Sequence, residues 1–186
     1  MIENNKPNIK TIIKASYKPQ AEASADLEKL GYKYDPELSS MENKVFYDPK
    51  TGKPNIAYRG SITAKDWIGN LKLGLGFKDP DAEKRIQLAD QVKQKYGQSA
   101  DTFGHSRGGY LAEQAGERYG GSTYTYNKAT VDDNPFKKIR TEQTDIRTKG
   151  DIVSLPSIFQ SGGTKKEISS SFPFSNILSA HSTSNL

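Results

Sequence analysis

Ala100-Asp101-Thr102-Phe103-Gly104-His105-Ser106-Arg107-Gly108-Gly109-Tyr110-Leu111-Ala112-Glu113-Gln114-Ala115 is the stretch on which the fold turns. Its first four residues read as a short strand, and Tyr110 to Ala115 read as good helix. Between them Gly104-His105-Ser106-Arg107-Gly108 fits the pattern G-x-S-x-G. That pattern needs a sharp strand-to-helix turn, on which the serine sits in strained backbone with its Oγ exposed. A glycine two before and two after lets strand and helix approach without Cβ clashes. The helix start adds partial positive charge beside the serine oxygen.

Working outward, the same alternation continues on both sides. Asp79-Pro80 is a helix start, and Ala82, Ile86, Ala89, Val92 and Tyr96 follow at spacings of four, three, three and four, one face of a helix ended by Gly97. Beyond the motif, helix runs to Tyr119 and stops at Gly120-Gly121. Ser122 to Tyr126 reads as the next strand and Thr144 to Arg147 as a weaker one. Helix, strand, helix, strand at these intervals suits parallel βαβ units. Towards the N-terminus, residues 20–30 read as a helix stopped by Gly31. Val45 to Tyr47 and Ile56 to Tyr58 read as a hairpin around Asp48-Pro49-Lys50-Thr51-Gly52. Residues 62–71 suit a short helix around Trp67, Ile68 and Leu71. From Ser161 the chain is rich in Ser, Gly and Thr and reads as loop. The expectation is one α/β domain over residues 1–186, with a mixed, mostly parallel sheet flanked by helices.

Composition narrows the chemistry. The chain has 186 residues, 33% hydrophobic, with 27 basic and 22 acidic side chains for a formal charge of +5. No run of apolar residues is long enough to span a membrane, and the start lacks the apolar stretch of a secretory signal. A cytoplasmic or virion-associated protein is expected. With no cysteine and two histidines, zinc is poorly supported and no cofactor is implied. Lys137, Lys138 and Arg140 form the densest basic cluster, without the aromatic interleaving of RNA-binding surfaces, so nucleic acid is not an expected partner.

A serine hydroxyl needs a base to become a nucleophile. His105 precedes Ser106 directly, and on such a turn its ring points away from Oγ, into packing or a hydrogen bond. That leaves His181. The required chain order is serine, acid, histidine. Asp132, Asp133, Asp145 and Asp151 all satisfy it, and Asp151, following a strand candidate, is best placed. An oxyanion hole needs two backbone N–H groups. One belongs to Arg107; the other is sought at Arg59-Gly60-Ser61, where an earlier strand ends.

At these residues the chain resembles the class 3 lipases of the α/β-hydrolase superfamily. Ala57-Tyr58-Arg59-Gly60-Ser61 with Asp66-Trp67-Ile68 looks like that family's oxyanion loop and lid helix. Phe103-Gly104-His105-Ser106-Arg107-Gly108-Gly109 looks like its serine turn. Gly150-Asp151-Ile152-Val153 with Leu155-Pro156 is similar to the stretch bearing its acid, and His181 matches its last triad member. The match spans residues 57 to 181. It departs at Arg107, where leucine is usual, and at Asp101 and Thr102, where more apolar residues are usual. Compact, signal-less members also occur in DNA viruses of protists.

The resemblance implies a serine esterase or lipase acting through Ser106, His181 and Asp151, with the N–H groups of Ser61 and Arg107 holding the oxyanion and the Ser61 hydroxyl as a helper. An ester or lipid is the implied substrate, with transient contact to a lipid surface. Trp67, Ile68, Leu71, Leu73 and Leu75 suit either an apolar lid or plain core. The rival from another class is a catalytically idle module of the same fold, a structural or binding protein such as a virus particle uses.

Overall fold

The computed structural model describes residues 8–60, 81–130, 136–151, 153–169 and 181. Among the described residues, seven strands form one sheet in sequence order. They are β1 (Lys33–Tyr34), β2 (Asn43–Tyr47), β3 (Pro54–Tyr58), β4 (Asp101–His105), β5 (Thr123–Tyr126), β6 (Gln143–Thr148) and β7 (Thr164–Ile168). The first three pair antiparallel, and every pairing from β3 to β7 is parallel. The mixed sheet read from the hairpin and the βαβ spacing is therefore present.

Strand parity decides what lies on each face, because successive side chains point to opposite sides. Val45, Ile56 and Tyr58 pack with α3 (Ala82–Tyr96) and α4 (Arg107–Tyr119). Phe46, Ala57, Phe103 and Tyr126 pack on the other face with α1 (Ile9–Ala15) and α2 (Gln20–Lys29). The α3 face predicted from spacing is the buried one: Ile86, Ala89 and Val92 are buried, Ala82 and Tyr96 partly so, and Gly97 closes the helix with φ 70°. Burying one such aliphatic side chain contributes roughly 1.5–3 kcal/mol. In α4 the buried face carries Gly108, Leu111, Ala112, Ala115 and Gly116, small enough to bring the helix axis close to the sheet.

The two polar residues of β4 are both bonded. Asp101 accepts from the Ser122 N–H at 2.8 Å and pairs with Lys53 at 3.2 Å. Thr102 Oγ1 donates to the Ala112 carbonyl at 2.9 Å, joining strand to helix. Elements not anticipated are α1, the two-residue β1 and β7. The last corrects the reading of everything after Ser161 as loop. Thr164-Lys165-Lys166-Glu167-Ile168 has no apolar alternation because it is an exposed edge strand on β6. Its charges keep that edge from pairing with other chains. The helix expected over 62–71 and the Asp79-Pro80 helix start lie outside the described residues. Among the described residues no helix is long and apolar enough to cross a membrane.

Candidate active site

Ser106 sits between β4 and α4 with φ 57° and ψ −126°, one of two non-glycine residues with positive φ among those described. Such backbone persists only where its surroundings over-determine it. Here the Ser106 N–H donates to the Tyr126 carbonyl at 3.1 Å, and the Ser106 carbonyl accepts from Gly109, Tyr110 and Ala129 at 2.9, 3.2 and 3.0 Å. The flanking glycines are required by space. A Cβ at Gly104 would overlap the Gly108 carbonyl, and a Cβ at Gly108 would overlap that of Tyr58.

Asp151 and His181 lie at Ser106. His181 Nε2 is 2.7 Å from Ser106 Oγ. Its Nδ1 is 3.0 Å from each Asp151 carboxylate oxygen. All three residues are buried, Asp151 completely. A buried carboxylate is costly unless its lone pairs are met. Asp151 Oδ1 also accepts from the Val153 N–H at 3.0 Å, and Oδ2 accepts from the Ser154 hydroxyl at 2.7 Å. The carboxylate is thus held by contacts that do not depend on the imidazole.

The other acids compatible with chain order fare differently. Asp145 in β6 accepts from Thr125 at 2.6 Å and Gln143 at 2.9 Å and pairs with buried Lys128 at 2.8 Å. It is occupied in a network that also holds Glu113 of α4, whose carboxyl lies below its usual range because the Lys128 ammonium and its hydrogen bonds outweigh the opposing effect of burial. Asp132 and Asp133 lie outside the described residues, as do Ser61 and the apolar residues Trp67, Ile68, Leu71, Leu73 and Leu75. Arg107 is the first residue of α4, next to Ser106.

Several positioning residues escaped the sequence reading. Asn127, φ 45°, accepts from the Thr148 N–H at 2.7 Å and donates to the Thr148 hydroxyl at 3.2 Å. It clamps the end of β6, from which the Asp151 loop leaves. Arg85 of α3 is buried and donates to the Arg59 carbonyl at 2.7 Å, to Asn43 and to the Glu42 carbonyl. From the opposite face the Tyr17 hydroxyl accepts from the Gly60 N–H at 3.1 Å. Arg59-Gly60 is therefore held from both sides of the sheet. An arginine on an otherwise apolar helix face, and an Asn directly after a strand, were the available signals.

Comparison with known proteins bears on the family and the fold. The family described as "Phospholipase-like: Tle-like phospholipase domain" matches residues 13–155, a span that holds Ser106 and Asp151 and ends before His181. An extracellular phospholipase A1 from Serratia liquefaciens is 29% identical over 84 residues, 45% of this chain. The chain spans about a quarter of that relative's length, 26%. The crystal structure of Lip2 lipase from Yarrowia lipolytica superposes with a TM-score of 0.50 at 14% identity, covering 84% of this chain and 81% of that one. The sheet order, flanking helices and that likeness make this an α/β-hydrolase fold, as expected from the serine turn. The lipase-like resemblance read from the sequence holds as well: the chain belongs to the Tle-like phospholipase domain family.

Proposed function

We propose that the chain is a serine hydrolase of carboxylic esters, with the acyl ester of a phospholipid as its substrate class. The observation that carries this reading is the continuous line from the Asp151 carboxylate through His181 to Ser106 Oγ, at 3.0 and 2.7 Å. The family and the Serratia relative, a phospholipase by name, support the substrate class.

The chemistry follows from the roles each group can play. His181 Nε2 takes the Ser106 proton as Oγ bonds to the ester carbonyl carbon. The carbonyl electron pair moves to its oxygen, which the N–H groups of Arg107 and Ser61 stabilise, with the Ser61 hydroxyl as helper. Collapse expels the alcohol, which takes the proton from His181, and leaves an acyl ester on Ser106. Water repeats the sequence and releases the acid. Asp151 keeps Nδ1 protonated and stabilises the imidazolium that forms.

A panel of p-nitrophenyl esters of increasing length, phospholipid vesicles, and labelling by a serine-reactive phosphonate test the proposal together. Turnover with one labelled serine is expected. No label and no turnover would leave the idle structural module instead. Within this reading Asp151→Asn is expected to lower kcat by about 10⁴, because the amide favours the wrong imidazole tautomer. Val153 and Ser154 keep donors around position 151, so circular dichroism should be unchanged. If Asp145→Asn proved the crippling change and Asp151→Asn silent, the acid would be misassigned.

Contact with a lipid surface has a natural place next to this acid. A short 3-10 helix, Leu155–Phe159, follows the Asp151 loop. Leu155, Ile158 and Phe159 remain 45%, 45% and 56% exposed, and the ring of Phe136, 71% exposed, lies 6.0 Å from that of Phe159. Replacing Leu155, Ile158 and Phe159 by serine is expected to lower turnover on vesicles by about tenfold while a short soluble ester is cleaved within about twofold of the parent rate. Equal losses on both substrates would remove the surface role.

A further inference from the structure

The histidine that does not face Ser106 is engaged at both of its ring nitrogens. Parity within β4 sends His105 to the same face as Phe103, towards α1. Its Nε2 lies 2.8 Å from the backbone carbonyl of His181, and its Nδ1 lies 2.9 Å from the Tyr17 hydroxyl. A carbonyl can only accept, so Nε2 carries a proton, and in the neutral ring Nδ1 is then bare. The Tyr17 O–H therefore donates to Nδ1, and the same oxygen accepts from the Gly60 N–H at 3.1 Å. Every donor now points one way: Gly60 N–H to Tyr17 Oη, Tyr17 O–H to His105 Nδ1, His105 Nε2–H to the His181 carbonyl.

Those four residues come from separate parts of the chain. Tyr17 follows α1, Gly60 follows β3 and precedes Ser61, His105 ends β4 beside Ser106, and His181 lies far beyond. The fit at Gly60 is close: a Cβ there would overlap the Tyr17 hydroxyl and stand 2.7 Å from the His105 carbonyl oxygen. We propose that Tyr17 and His105 are positioning residues, forming one directional relay that sets the backbone of the base His181 and of Gly60, the residue before the proposed oxyanion donor, in register with Ser106. This rests on the serine-hydrolase reading above.

The relay works only with a neutral His105. The groups facing it are Tyr17, Tyr126 of β5, whose ring is 6.1 Å away, His181, whose ring is 4.9 Å away, and Asp151. Burial, and then the nearby His181 ring, push the His105 imidazole down to about 3, against smaller opposing pulls from the hydrogen bond to the His181 carbonyl and then from Asp151. Burial holds Tyr17 protonated, with its usual value raised. A second positive ring beside His181 would oppose the imidazolium formed during acyl transfer, and this arrangement avoids it.

Two measurements on the full chain test the relay. The first is kinetic. Tyr17→Phe and His105→Phe keep an aromatic ring at each position and remove one or both of His105's ring-nitrogen contacts. Each is expected to lower kcat and the rate of phosphonate labelling by about 10- to 100-fold with KM within about threefold, since a small displacement of the base costs rate and not binding. His105→Gln keeps an N–H able to reach the His181 carbonyl and should recover most of the His105→Phe loss. Unchanged kcat in both phenylalanine variants, or no recovery with glutamine, overturns the proposal. The second is imidazole ¹⁵N NMR, which needs no turnover. His105 should hold the Nε2–H tautomer from pH 5 to 8, and Tyr17→Phe should shift the His181 ring nitrogens. A His105 that titrates in that range, or sits as the Nδ1–H tautomer, overturns the relay. A parent chain that takes no phosphonate but shows the expected spectra overturns the hydrolase reading alone.

Discussion

Ser106→Ala is expected to lower kcat by about four to six orders of magnitude while leaving the fold in place. The change deletes one oxygen and keeps the Cβ, so the backbone at φ 57° is no harder for alanine to adopt than for serine. The contacts that hold the turn are all backbone: the N–H to Tyr126 and the carbonyl to Gly109, Tyr110 and Ala129. None involves Oγ. The oxygen's contact is His181 Nε2 at 2.7 Å. Stability should therefore change by no more than about 1 kcal/mol. The proposed oxyanion donors are untouched by the substitution, so a residual rate above that of water is expected. Ester hydrolysis, circular dichroism and phosphonate labelling on the same preparation decide the matter. A variant that still took the label at full stoichiometry would show that another serine is the nucleophile.

The parts of this fold that could be read from the sequence were those where one steric requirement allows few residue types. Gly104 and Gly108 are legible because nothing larger fits where strand and helix touch. The α3 face is legible because its apolar spacing matches a helix packed on one side only. The edge strand β7 was not legible: Thr164 to Glu167 are solvent-exposed, so its charges carry no trace of a core face. α1 has Ile9, Ile12 and Ile13 at helical spacing, but seven residues of β-branched-rich sequence give too short a pattern to separate from an extended start.

The site divides along the same line. Ser106 announces itself through local backbone chemistry. The proposed acid is marked less sharply: chain order allows four aspartates, the strand candidate before Asp151 favours it, and the contacts that separate Asp145 from Asp151 are tertiary. Lys128, Thr125 and Gln143 engage the first, while Val153 and Ser154 aim the second at His181. His105 was legible as pointing away from Oγ but not in what it meets, since its partners at Tyr17 and His181 are 88 and 76 positions away. Tyr17 itself gives no signal at all; a tyrosine after a short helix is ordinary until the sheet brings Gly60 and His105 to its hydroxyl.

His181 was reached by elimination, and it lies beyond the residues matched by the family, so its substitution is the most exposed test of the proposed chemistry. His181→Ala is expected to lower kcat by nearly as much as Ser106→Ala, because the hydroxyl then has no group to take its proton. The expectation of an intact fold is specific. Alanine keeps the carbonyl that accepts from His105 Nε2, so the backbone contact at 2.8 Å is retained. Asp151 loses the imidazole but keeps the Val153 N–H and the Ser154 hydroxyl, so its buried charge is not abandoned. The double variant carries the sharper content. Residues that act as one unit are strongly non-additive, so Ser106→Ala with His181→Ala together should be within about tenfold of either alone. Two independent contributors would instead multiply, to a loss of about eight orders of magnitude or more on the same scale. Multiplying losses, or a His181→Ala variant that retains more than about one per cent of the parent rate, would mean that Ser106 draws on a different base, since His105, with both ring nitrogens engaged on the far side of β4, has none to offer.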